Sequence, residues 1–338
     1  MAFSTFMRAA LYHPAWGYYA SGLARVGRDG DFFTSVSVGG VFGLLLARRI
    51  ASWWDGVGRP SRWQLVEQGA NDGQLMSDVL HGLPPAALAA VEIVLVEPLH
   101  VLRVNQQQTL AEWSGRIAWR DGLAPAQPPG MPVVFFCNEL LDAFPVERVR
   151  VAGGSWQACR VLADGADRFR WGHGPIDPGW LDRLPDAAGL PDGYGTELRP
   201  DLDDWVASLA MAVPAGLALI IDYGFEAEDY FHPTRTDGTL RTYQHHRAVD
   251  DPFIGIGHSD ITAHVNWSDL TGQLAAAGFT VAGPTDQGRW LTRAGRDWLL
   301  AREAAPEPAW PKWLRQFQTL THPQFMGGKF QVVEARTS

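Results

Sequence analysis

Apolar positions along the chain alternate between short continuous runs and longer amphipathic stretches. Runs of strand length fall at 64–67, 92–98, 133–137 and 217–224, with a weaker one at 116–123. Continuous runs of this kind are expected of parallel strands buried on both faces. Between them, apolar residues recur at helical spacing over 40–54, 99–113 and 201–213, and as Leu75, Met76, Val79 and Leu80. From 146 onward the period changes to two. The runs 148–151, 156–162 and 169–171 are separated by Gly-Gly and Asp-Gly turns, the signature of antiparallel strands. A stretch rich in Gly, Pro and Asp follows to 200 and reads as irregular. Helices are expected at 268–277, 290–304 and 310–320, and a closing strand pair at 279–282 and 329–334.

Strands alternating with helices predict an α/β fold: a Rossmann-like sheet with helices on both faces. At the front, Phe3, Phe6, Met7 and Leu11 make one helical face that Pro14 ends. The expected division is an N-terminal helical and loop cap over 1–60 and a core over 61–338. The antiparallel piece, 146–200, is read as an insertion after the fourth strand.

Composition narrows the function. The net charge of −9 argues against a general nucleic-acid binder, since a phosphate backbone demands Lys and Arg. Two cysteines, Cys137 and Cys159, supply neither a disulfide framework nor a thiolate metal cluster. No apolar run reaches the ~18 residues of a membrane span, and no signal-peptide pattern opens the chain. A soluble, cytoplasmic protein with no membrane insertion is expected, with homo-oligomerisation left open. His245, His246, His258 and His264 crowd a long polar loop, 225–266, with Asp250, Asp251 and Asp260. They lack the tight helical spacing of a zinc motif, so no metal is expected.

The candidate chemistry sits at the ends of the predicted strands, where open α/β sheets bind ligands. After the first strand comes Glu67-Gln68-Gly69-Ala70-Asn71-Asp72-Gly73. The glycines, four apart, do not match the dinucleotide spacing, and no Gly-Lys-Ser/Thr follows for a phosphate loop. Gly69 and Gly73 let a ligand approach backbone, and Asn71 tolerates positive φ. Glu67 would repel a phosphate but favour an amine or a sulfonium; a tight turn with no ligand is the alternative. Glu97, before Pro98, lies 24 residues past Gly73, near the spacing at which a strand-end acid accepts from ribose hydroxyls. Asp121, before Gly122, is placed to accept from an adenine amino group. The fourth strand runs into Asn138-Glu139-Leu140-Leu141-Asp142, and Glu139 and Asp142 would share a face if this segment is helical; Asp142 fits a helix cap equally well. Upstream, Gly30-Asp31-Phe32-Phe33-Thr34 suits either an exposed turn or a loop folded over a ligand.

These segments resemble the MidA-type methyltransferases, the bacterial relatives of the mitochondrial complex I assembly methyltransferase, over nearly the whole chain. The match runs through Leu11-Tyr12-His13-Pro14 with Gly17-Tyr18-Tyr19, Gly30-Asp31-Phe32 with Thr34-Ser35, Glu67-x-Gly69 and Glu97-Pro98. It continues in Asn138-Glu139 with Asp142-Ala143 and Pro145, Asp222-Tyr223-Gly224, Asp260 to Val265, Gln287-Gly288 and Met326-Gly327. Two departures stand out. Gly69-Ala70-Asn71-Asp72-Gly73 replaces the family's Gly-Pro-Gly-Arg-Gly, and the family's segment upstream of Phe3 is not seen. The resemblance implies a class I methyltransferase that uses S-adenosylmethionine and, from the mitochondrial relatives, dimethylates arginine in a protein substrate. Expected cofactor contacts are Gly30, Asp31, Phe32, Thr34 and Glu67, then Gly69, Ala70, Asn71 and Gly73. The later ones are Glu97, Pro98, Asp121, Gly122, Asn138 and Glu139. Glu139 is the expected catalytic carboxylate, helped by Asp142 or Asp31. A small-molecule methyltransferase and a non-catalytic assembly factor of the same fold are the competing expectations.

Overall fold

The computed structural model describes residues 1–22, 34–165, 168–244, 247–249 and 251–337. They fall into two compact units. One comprises Val26–Leu140, Ala207–Tyr223 and Leu274–Ser338; the other comprises Met1–Arg25, Leu141–Val206 and Gly224–Gln273.

The first unit is built on seven strands: β1 (Trp63–Gln68), β2 (Val91–Val96), β3 (Ile117–Arg120), β4 (Val133–Asn138), β5 (Gly216–Asp222), β6 (Thr280–Asp286) and β7 (Gln331–Thr337). They lie in the order β6-β7-β5-β4-β1-β2-β3. The strands β3 to β5 pair in parallel, and β7 runs antiparallel to both of its neighbours. Every residue of β5 is buried, and β4 is buried except at its last residue. This accounts for the unbroken apolar runs that mark both strands in the sequence. One face of the sheet, with Leu65, Val134, Phe136, Leu219 and Ile221, shares a core with helices Val41–Gly56 and Gln74–Gly82. The predicted inward residues Leu75, Met76, Val79 and Leu80 are all buried there.

Register fixes what meets at the carboxyl edge. Val96 pairs with Gln68 on one side and Arg120 on the other, so Gly69, Glu97 and Asp121 follow in one row. Glu67 pairs with Phe136, which brings Asn138 level with Gly69, and Asn138 pairs with Ile221. Strand order reverses between β1 and β4, the point at which sheets of this kind hold ligands.

In the second unit, the predicted antiparallel runs become Glu147–Ala152, Ser155–Ala163 and Phe169–Pro175. A fourth strand, Gly195–Leu198, closes that sheet from within the stretch read as irregular. Its polar Thr196 and Glu197 are as buried as its neighbours, so no apolar alternation marks it in the sequence. The expected long loop at 225–266 instead carries short strands. Gly224–Phe225 pairs with Val265–Asn266, and Arg241–Gln244 lies between Arg247–Val249 and Asp260–Thr262. Helix Phe3–Tyr12 buries Phe3, Phe6, Met7 and Leu11 in a cluster with Val146, Val161 and Ile261. Arg199, 4% exposed, donates to the carbonyls of Leu141 (2.9 Å), His264 (2.7 Å) and Ala263. One buried guanidinium thereby holds two separate chain segments together.

Candidate active site

The turn after β1 is a run of left-handed residues: Gly69 at φ +76°, Asn71 at +47° and Gly73 at +86°. A side chain at Gly69 would be strained and would also bring its Cβ to 2.9 Å from Cδ1 of Leu140. The turn is closed by the Gly73 N–H donating to the Ala70 carbonyl at 2.7 Å and by the Gln74 N–H donating to Asp72 Oδ1 at 3.0 Å. Helix Gln74–Gly82 then begins, pointing its amino end back at the strand. Glu67, 2% exposed, accepts from the Met76 N–H in the helix's first turn, while its Oε2 has no hydrogen-bond partner. Burial, reinforced by Asp72, pushes its carboxyl well above the usual range. A helix amino end is the ordinary seat of a phosphate; here the protein's own carboxyl occupies it. A partnerless, buried, acidic oxygen remains, which suits a cationic donor.

Glu97, 4% exposed at the end of β2, is held on both oxygens. Oε1 accepts from the Leu99 N–H at 2.9 Å and Oε2 from Gln106 Nε2 at 3.2 Å. Desolvation still raises its pKa, against those two bonds and the nearby Arg103. Arg103 donates to the Glu97 carbonyl at 2.5 Å and pairs with Asp121. Asp121 belongs to the same row of strand ends, but its side chain is 87% exposed and is engaged by that arginine. Gly122 beside it is exposed as well. Gln106 has no place in the sequence reading. Its signal was its position four residues after Leu102, these being the two buried residues of helix His100–Thr109.

At the end of β4, Glu139 has φ +53°, a left-handed backbone in a residue with a full side chain. Such a conformation costs roughly 1–2 kcal/mol and is typical of functional positions. Its N–H donates to the Ile221 carbonyl at 2.9 Å, and Asn138 Nδ2 donates to its Oε1 at 3.0 Å. Asn138 Oδ1 is buried and lacks a partner. Since Glu67 pairs with Phe136, and Asn138 lies two residues further on, Glu67 and Asn138 are on the same face of the sheet. Two buried acceptors thus await donors at the point where strand order reverses. The segment after Glu139 is not helical, so Glu139 and Asp142 do not share a helix face. Asp142 belongs to the second unit, where it is buried and its carbonyl accepts from the Ala263 N–H at 2.9 Å. It adds to the field around Tyr19, whose hydroxyl bonds both oxygens of Asp260 at 3.0 and 3.1 Å.

Gly30, Asp31 and Phe32 lie outside the described residues, as do His245, His246 and Asp250. Thr34 is buried and shares a hydroxyl contact of 3.1 Å with Ser37. Ser35 beside it donates to Gln287 Oε1 at 3.0 Å and touches Met326 Sδ at 3.7 Å, which joins three stretches far apart in sequence. No helix of the described residues is long and apolar enough to cross a membrane.

Comparison with known proteins bears on the fold and the family. A crystal structure of a COG1565 superfamily member from Burkholderia thailandensis, bound to S-adenosyl-homocysteine, superposes with a TM-score of 0.85 at 32% identity. It covers 99% of this chain and 87% of that one. The mitochondrial protein arginine methyltransferase NDUFAF7 homologue of Drosophila melanogaster is 30% identical, covering 96% of this chain and 79% of the relative. The NDUFAF7 arginine methyltransferase of Mus musculus is 28% identical over 96% of this chain and 78% of its own length. A family model of S-adenosyl-L-methionine-dependent methyltransferases matches residues 45–285. A reversing sheet with a phosphate-excluding, acid-lined carboxyl edge is what such a family needs, and the chain belongs to these S-adenosyl-L-methionine-dependent methyltransferases.

Proposed function

We propose that the chain transfers a methyl group to a guanidinium nitrogen of arginine in a protein substrate, with Glu139 as the catalytic carboxylate. The observation that carries this is the strained backbone of Glu139. A carboxylate is held at the carboxyl edge of β4 in a conformation that costs stability, fixed by Ile221 and Asn138. The mitochondrial relatives, named protein arginine methyltransferases, support the substrate class.

The cofactor's sulfonium supplies an electrophilic methyl group, and everything else falls to the chain. Glu67 Oε2 and Asn138 Oδ1 are suited to take the donors of an α-ammonium group. Gly69 and Gly73 give it backbone access, and Ala70, also buried, keeps the turn compact. Glu97 is suited to the ribose hydroxyls, with Pro98 ending its strand, and Asp121 and Gly122 lie on the adenine side. A guanidinium is a weak nucleophile because it stays protonated, its pKa being above ~12. Glu139 would bind two of its N–H groups, draw the positive charge toward them and leave the third nitrogen richer in electrons and aimed in line.

The test is Glu139→Gln, assayed with labelled S-adenosylmethionine in lysate from a strain lacking the gene. Turnover should disappear while S-adenosylhomocysteine binding stays within a few fold of wild type. Label in small metabolites rather than protein would overturn the substrate class, and retained turnover would overturn the role of Glu139. We further propose a reducing, cytoplasmic setting, although the named relatives are mitochondrial. Cys137 and Cys159 are both buried, and burial pushes the Cys159 thiol up to about 11, which leaves it unreactive.

A further inference from the structure

We propose that Gln106 is the positioning residue for ribose recognition, locking the carboxylate of Glu97 to the turn after β1. The proposal rests on the assignment of Glu97 as the ribose-binding acid. Gln106 is fully buried on helix His100–Thr109, and all of its polar capacity is directed at that site. Nε2 donates to Glu97 Oε2 at 3.2 Å and to the Asn71 carbonyl at 3.0 Å, while Oε1 accepts from Trp119 Nε1 at 3.0 Å. An amide can usually lie either way round. This one cannot, because each of its partners has a single polarity: the indole N–H only donates, and a carboxylate and a peptide carbonyl only accept. Trp119 on β3 therefore orients the amide, and the amide orients the acid on β2.

The consequence for the ligand lies in lone pairs. Each oxygen of Glu97 has two acceptor directions. The chain uses Oε1 for the Leu99 N–H and Oε2 for Gln106. One direction on each oxygen remains, in a carboxylate that can no longer rotate. That leaves a pair of acceptors with the fixed spacing that two neighbouring hydroxyls on one ring require. The second Gln106 bond holds the carbonyl of Asn71, the left-handed residue in the turn between Gly69 and Gly73. One side chain thus sets both the ribose end and the methionine end of the site.

The test is isothermal titration of the full chain with S-adenosylhomocysteine and with its 2′-deoxy analogue. Wild type should prefer the ribose form by about ten- to a hundredfold, the worth of a hydrogen bond to a charged group. Glu97→Ala should abolish that preference. Gln106→Leu, and the isosteric Gln106→Glu, which sets an acceptor against two acceptors, should reduce it about as far with Glu97 intact. If Gln106→Leu weakens both ligands equally and keeps the preference, Gln106 is merely structural and the proposal fails, while the Glu97 assignment stands. If Glu97→Ala keeps the preference, the ribose assignment itself is wrong and the positioning role falls with it. Should both Gln106 variants fail to fold, Trp119→Phe decides: it removes the orienting N–H together with part of the ring, and an unchanged preference there overturns the proposal.

Discussion

Replacing Glu139 with glycine should leave a protein at least as stable as wild type that transfers no methyl group. At φ +53° the native glutamate bears a left-handed penalty of roughly 1–2 kcal/mol. Glycine removes that penalty but adds a backbone entropy cost of about 0.5–1 kcal/mol. The difference is a gain of about 0–1.5 kcal/mol. Alanine keeps the penalty and deletes the carboxylate, so Glu139→Ala should be less stable than Glu139→Gly by roughly 1 kcal/mol. At an ordinary position the order is reversed, alanine being favoured by about 0.4–1 kcal/mol through the unfolded chain. The sign of the Ala–Gly difference therefore reports the backbone at this one residue, whatever the side chain does. Urea denaturation of the full-length variants reads it, with S-adenosylhomocysteine titration as the control for an intact site. An alanine variant more stable than the glycine variant would refute the strained conformation. Turnover by either would refute the catalytic role.

Three further outcomes follow from other parts of the structure. Burial raises the folded pKa of Glu67 above its unfolded value. Its stabilising share is complete below the ordinary carboxylate range and is lost as pH rises toward the raised value, so Glu67→Gln should flatten the stability–pH curve above about pH 5. A cationic ligand bound there would also expel the proton; titration in buffers of different ionisation enthalpy should detect proton release in wild type and none in Glu67→Gln. Gly69→Ala should cost more than about 1 kcal/mol and weaken S-adenosylhomocysteine, since φ +76° and the Leu140 methyl 2.9 Å away both oppose a Cβ; a neutral result in denaturation and binding would show that the turn relaxes. His264, stacked on Phe225 at 5.0 Å, is lowered to about 4 by burial and by Arg235, Arg199 and Arg241. The unfolded chain then takes up a proton first as pH falls from about 6.5 toward 4, and stability declines over that window. His264→Phe should abolish that decline, and an imidazole resonance titrating near neutrality would contradict the assignment.

The parts of the fold that sequence makes legible are those where burial is complete. The runs at 133–137 and 217–224 announce β4 and β5 because both faces of those strands are covered, although β5 itself stops at Asp222. Asn71 was readable as a left-handed residue because its type tolerates that conformation. Glu139 was not, because nothing in its identity signals positive φ; the strain is imposed by the chain around it. The short strand Gly195–Leu198 escaped because it buries the polar Thr196 and Glu197, and the Thr239 N–H and hydroxyl that donate to Glu197 Oε2 come from a distant stretch of chain. Gln106 escaped for the same reason. Its partners Asn71, Glu97 and Trp119 come from three different elements, and only folding reveals that a lone glutamine serves all three.

Strand β7 fills a slot between β5 and β6 although it is made long after β5, with four α-helices, β6 and the short strands of 224–266 in between among the described residues. Until it arrives, the central parallel block ends on an open rim at β5, whose every side chain is destined for the interior. Contacts so distant along the chain are slow to form, and an apolar unpaired rim invites pairing with other molecules in the meantime. The nascent protein should therefore pass through a sticky, incomplete stage. Its yield in a cell should depend on how well holding chaperones shelter that stage, long before any methyl group is moved.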